Sequence, residues 1–180
     1  MASELLVPKL IGPYFGASLF VWSATIGTTL IGLAGGYYYS GILSEKENLI
    51  KKLLLLSSVT AIYLLFLPLF SKAIMNALVK MEVLRGILIS TLLFNLPLFF
   101  LFGIYSPLII QLISRDIEDA GNVAGKVYGL STLSGVLFMI VTGIYLVHRI
   151  GASLSMYIMS TLMFMATILL FVIHRKAIAK

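Results

Sequence analysis

The stretch "ILISTLLFNLPLFFLFGIYSPLIIQL", Ile87 to Leu112, carries no charged side chain along its whole length. A helix crosses the hydrocarbon core of a bilayer with about 20 mainly apolar residues, and this run exceeds that. It is continuously apolar, whereas the strands of a membrane β-barrel alternate over roughly ten residues. The reading is a membrane helix with two interruptions. Asn95-Leu96-Pro97 and Ser106-Pro107 each bring a proline, which removes a backbone hydrogen bond. The freed carbonyls need a neighbouring helix, a side chain or water. Broken helices near the midplane build substrate sites in transporters; simple kinking is the plainer reading. Asn95 and Gln111 are the polar side chains nearest the kinks, and with Pro97 they are candidates for a lined cavity.

Four further runs of this kind surround it, at about 18–40, 53–71, 127–148 and 152–173. Of 180 residues, 60% are hydrophobic and 11% charged, against about half and a quarter in ordinary globular domains. A soluble fold of this length cannot bury so much apolar surface, so lipid must cover part of it. The expected fold class is all-α: a polytopic transmembrane helix bundle, one domain over 1–180, with five full spans. The turn "HRIG", His148 to Gly151, is short enough to make the last two spans an antiparallel hairpin. Ahead of the first span, "MASELLVPKLIGPYFG" is apolar but broken by Pro8 and Pro13. It reads as an interfacial or re-entrant segment, or as the tail of a truncated sixth helix. It shows no basic leader with a cleavage site, so no cleavable signal peptide is expected.

Charge is concentrated between the spans, and lysine and arginine in short loops set orientation. One side carries Lys46, Lys51, Lys52, Arg115, Lys126, Arg175, Lys176 and Lys180; the other carries Lys9, Lys72, Lys80, Arg85 and Arg149. The larger set places "SEKENLIKK" and the C-terminus in the cytoplasm. A net charge of +6 scattered over loops is interfacial and is not a nucleic-acid footprint.

Small residues recur with helical spacing. Gly121, Gly125 and Gly129 share one face, as do Ala24, Thr28, Gly32, Gly36 and Ser40. Helices in lipid gain little from apolar burial against each other, and small residues let backbones approach. Two packing seams are expected, facing each other in one arrangement. A sliding surface in a transporter is the functional version; static packing is the plainer one.

Catalytic chemistry is not expected. Glu4 is the acid in an apolar context outside the loops, and His148 and His174 sit at helix ends beside Arg149 and Arg175. Cysteine is absent, and two separated histidines make no metal site. No nucleophile, base and orienting group form a set, and no phosphate loop or dinucleotide fingerprint is present. No cofactor, metal or nucleic acid is expected.

The residues from Glu4 to Trp22, "ELLVPKLIGPYFGASLFVW", resemble the start of the membrane domain in the fused major-facilitator-like/spermidine synthase family. Glu4, Pro13, Tyr14, Phe15, Gly16, Ser18, Val21 and Trp22 match its pattern; Lys9 stands for an arginine and Gly12 for an alanine. "GYYYSGILSEK", Gly36 to Lys46, is similar to the family's loop Gly-Tyr-Tyr-x-Gly-Gly-Arg-x-Ala-Asp-Arg. Glu45 and Lys46 keep its acid-base pair, and Ile42 replaces its arginine. Ser106-Pro107, Asp116, Gly121, Gly125, Tyr128 and Leu130 to Thr132 also fall where that family has them. Phe138 and Met139 depart from it, standing where a small pair is usual. The family's soluble aminopropyltransferase domain does not follow "HRKAIAK", so the resemblance implies ancestry and no synthase activity.

The resemblance implies half of a major facilitator, and hence two function classes. One is a half-size transporter-like protein for a small metabolite such as a polyamine, working as a homodimer in the lipid bilayer. Glu4, Tyr128, Ser131 and Thr132 then join Asn95, Pro97 and Gln111 as candidate cavity residues. The other is a membrane anchor for a separate, soluble aminopropyltransferase-like enzyme, docked on a cytoplasmic surface that includes Glu45, Lys46, Arg115 and Asp116. The membrane expected is the cytoplasmic membrane of a bacterium or archaeon.

Overall fold

The computed structural model describes residues 2–44, 48–114 and 119–178. Among the described residues seven α-helices follow in order: α1 (Ala2–Phe15), α2 (Leu19–Ser44), α3 (Leu49–Leu78), α4 (Val83–Phe94), α5 (Leu96–Ile113), α6 (Ala120–Ile140) and α7 (Val147–Ile178). One π-helical segment, Val141–Leu146, joins α6 to α7. No strand occurs among the described residues.

Among the described residues, four helical stretches are long and apolar enough to cross a membrane: Leu19–Leu43, Leu49–Leu78, Val83–Ile113 and Ala120–Ile173. The last is 54 residues long, about 80 Å if it ran straight at 1.5 Å per residue. It does not run straight. Gly151 adopts φ 79 and ψ 171 inside α7, a conformation that glycine reaches without the steric cost of a side chain. That break falls in the "HRIG" turn, between the two spans expected from sequence.

The segment before the first span is an ordered helix, α1, with both prolines inside it. It is central, not peripheral. Leu6, Val7 and Ile11 are fully buried and pack with Val21 of α2, Leu67 and Met75 of α3, Ile87 and Phe94 of α4 and Met156 of α7. A second cluster joins Leu53 and Leu56 of α3 to Ile104 and Leu108 of α5.

Hydrogen bonds give the directions. Asn95 bonds α2 near Thr28 while Ser40 bonds Ile104 O at 3.1 Å, so α2 and α5 run parallel. Ser160 Oγ donates to Ala61 O at 2.8 Å, and Lys51 shares a groove with Phe171, so α3 and α7 run antiparallel. Helix α6 lies at the edge of the bundle against α5 and α1, and none of its 21 residues is buried.

Candidate functional site

The long apolar run Ile87 to Leu112 is interrupted at Asn95, between α4 and α5. Helical bonding continues through the joint, with Asn95 N–H to Thr91 O at 2.8 Å and Phe99 N–H to Asn95 O at 3.0 Å. What is lost is the bond that Pro97 cannot make, which would have ended on Leu93 O four residues earlier. Tyr63 of α3 fills that place. Its hydroxyl donates to Leu93 O at 2.7 Å and lies 3.2 Å from Phe94 O. A phenol from a neighbouring helix thus satisfies the carbonyl that proline released, as a lipid environment requires.

Asn95 itself is fully buried. Its Nδ2 lies 2.6 Å from Thr29 Oγ1, 2.9 Å from Thr25 O and 3.1 Å from Thr28 Oγ1. A backbone carbonyl can only accept, so the amide nitrogen must face α2. Two protons are shared among three acceptors. Oδ1 on the other side is buried with no hydrogen-bond partner. The threonines are held in turn: Thr25 Oγ1 donates to Val21 O and Thr28 Oγ1 to Ala24 O, each at 2.8 Å.

One and two turns further on, the α2 stripe meets α5. A methyl group built on Gly32 would lie 2.9 Å from Leu96 O, and one on Gly36 would run into Phe100 O and the Gly103 backbone. One on Gly103 would lie 2.6 Å from Leu33 O. The two backbones touch directly, with room for hydrogen atoms alone, and Ser40 closes the crossing on Ile104 O. Thr28, Gly32, Gly36 and Ser40 are all buried, and Ala24 is partly so.

The second glycine stripe is elsewhere. Gly121, Gly125 and Gly129 have nothing within 4 Å of where a methyl would sit. The two stripes do not face each other within this chain; α5, through Gly103, takes the place opposite α2. Tyr128, Ser131 and Thr132 are exposed on α6, and Ser131 Oγ donates to Tyr128 O at 3.2 Å. Glu4 is partly buried in the first turn of α1, and Gln111 is exposed near the end of α5. Glu45, Lys46, Arg115 and Asp116 lie outside the described residues.

Among the described residues, several grooves open between helices, and three of them bear on the site. One of about 410 Å³ runs between α3 and α4, lined by Tyr63, Phe66, Phe70, Ile74 and Leu93 among others. One of about 500 Å³ separates α3 from α7. One of about 230 Å³ lies beside Pro8, Lys9, Pro13 and Trp22. Asn95 lines none of the three; it joins helices. No group of three or more His, Cys, Asp or Glu side chains that could hold a metal is found among the described residues.

Sequence reasoning singled out Asn95 and the α2 stripe and passed over Thr25, Thr29, Tyr63 and Gly103. A lone glycine inside the apolar run "FLFGIY" marks a place where another backbone comes close, and that signal was available for Gly103. Nothing in the sequence pairs Tyr63 with Pro97, which are 34 positions apart.

No family model, curated protein or solved structure matches this chain.

Proposed function

We propose that the chain is an integral membrane protein of five full passes plus the shorter α1, and that it works as a half-size, transporter-like unit. Two copies pair through α6. The observation that carries this reading is the state of α6: none of its residues is buried, and its face of Gly121, Gly125 and Gly129 touches nothing. In lipid such faces associate by backbone contact, and the same device already joins α2 to α5 here. A symmetric pair needs the same patch on both copies, which one stripe supplies. The likeness to half of a major facilitator supports two halves making one transport unit, and an amine is the substrate class that likeness suggests. The C-terminus is cytoplasmic on the balance of basic residues.

A second reading, an anchor for a separate soluble aminopropyltransferase-like enzyme, is favoured by how the buried polar groups are used. Asn95, Ser40, Ser160 and Tyr63 all bond helix backbone, which is what a static scaffold needs. Neither reading gives the chain chemistry of its own.

Native mass spectrometry of the protein released from nanodiscs, with and without spermidine, separates the two. A dimer that retains the amine supports the transporter unit. A monomer that retains none overturns it and directs the search to a soluble partner.

A further inference from the structure

The groove between α3 and α7, about 500 Å³ against about 230 Å³ for the one beside Lys9, pairs a long apolar floor with a basic end. Its walls are Leu54 and Leu55 of α3 and Ile168 and Phe171 of α7, with Ser58 and Thr167 along it and Lys51 at one end. Lys51, Leu54, Leu55 and Ser58 are spaced to line one face of α3 over two turns. Ser58 and Thr167 bond their own helices, to Leu54 O and Met163 O, each at 2.8 Å. Their hydroxyl protons are thus used, and the groove between its ends presents a largely apolar surface. The helices meet where Ser160 bonds Ala61 and leave the space of about 500 Å³ toward the end where Lys51 sits.

Two basic side chains, Lys51 and Arg175, stand at that end. In the antiparallel register Phe171 lies level with Lys51, so Arg175, one turn further along α7, falls at the same end, and it is exposed. Lys52 points the other way, with its ammonium 2.6 Å from Leu43 O of α2. The N-terminus of α3 is here too. Its Asn48 takes a left-handed conformation, φ 67, and makes no side-chain cap, and a helix start favours negative charge. This is the end that the balance of basic residues places at the cytoplasmic leaflet, where anionic lipids are concentrated.

We propose that this groove holds one anionic phospholipid, its phosphate at Lys51 and the start of α3, and one acyl chain between α3 and α7. The groove between α3 and α4 is somewhat smaller and carries no charge, so nothing there identifies an occupant. The inference rests on the membrane placement and is independent of transport and of dimerisation.

The test is native mass spectrometry of delipidated protein titrated with phosphatidylglycerol or with phosphatidylcholine of the same chains. Phosphatidylglycerol should be retained about five-fold better, the scale of one basic residue near an anionic headgroup. Lys51→Gln should remove most of that preference. Leu55→Trp, at a side chain 69% exposed, should fill the groove and lower retention of both lipids. Lys80→Gln, in the turn after α3, should change neither. Equal retention of the two lipids by the unaltered protein, or undiminished phosphatidylglycerol binding in Leu55→Trp, overturns the proposal. So does displacement of the lipid by inorganic phosphate alone, which would mark a simple anion site. Carbonate extraction of the source membranes reads the membrane placement separately: protein released to the supernatant would sink that placement, whatever the lipid titration shows.

Discussion

Asn95 Nδ2, at the joint of α4 and α5, lies 2.6 Å from Thr29 Oγ1 of α2, and both side chains are buried. Interhelical hydrogen bonds of this kind contribute about 0.6–2 kcal/mol in membrane proteins. Asn95→Ala should therefore lower stability by about that amount. Asn95→Asp removes the donors and sets a charge among helices, where an acid costs about 2.5–3.5 kcal/mol, so it should be worse than alanine. Unfolding titrations in mixed micelles give the order Asn, then Ala, then Asp. An aspartate as stable as asparagine would mean that the amide does not donate to α2.

The crossing of α2 and α5 predicts opposite signs for the same substitution at different glycines. Gly36→Ala and Gly103→Ala each push a methyl into the facing backbone, and overpacking of this kind costs about 1–3 kcal/mol. Gly125→Ala meets nothing and should raise the stability of the isolated chain by up to about 1 kcal/mol, the helix-propensity gain. Thermal unfolding of the three variants in one detergent checks this.

Tyr63 and Pro97 should be coupled. Tyr63→Phe leaves Leu93 O without its 2.7 Å partner, at a cost of about 1 kcal/mol, the typical net worth of one hydrogen bond. Pro97→Ala restores an N–H able to reach that carbonyl. In the Pro97→Ala background, Tyr63→Phe should then cost about 0.5 kcal/mol less or better, a coupling that a double-mutant cycle measures. Additive effects would show that the phenol does not stand in for the missing bond.

The proposed pairing through α6 is open to direct chemistry, because the chain contains no cysteine. Gly125→Cys should give an oxidised dimer in membranes, and a cysteine at Leu69, exposed on α3, should give far less. Gly125→Leu should lower the dimer fraction without destabilising the monomer, since it brings much of the same helix-propensity gain. Equal crosslinking at the two positions would remove α6 as the interface.

Much of this architecture was legible along the chain. Continuous apolar runs longer than a bilayer core demand helices that satisfy their own backbones, so α2, α3 and the α4–α5 unit lie where composition places them. Gly151 ended a span in the sequence and breaks α7 in the structure for the same local reason, a backbone conformation suited to glycine. Pro97 announced a missing hydrogen bond by its presence alone.

The partners of these features were not legible. Periodicity marks which face of a helix is small or polar, but it carries no information about which helix lies opposite. Both glycine stripes have the same spacing, yet one is filled by the Gly103 backbone and the other is open. The inward position of α1, with Leu6, Val7 and Ile11 at the centre of a cluster, was hidden because a short run interrupted by prolines looks peripheral when read alone. Composition and spacing, which are local, determined that the chain forms apolar helices and where they bend. Only the tertiary structure decided that Asn95 grips α2, that Tyr63 serves Pro97 and that the glycine face of α6 is left open, because each depends on close packing between segments far apart in sequence.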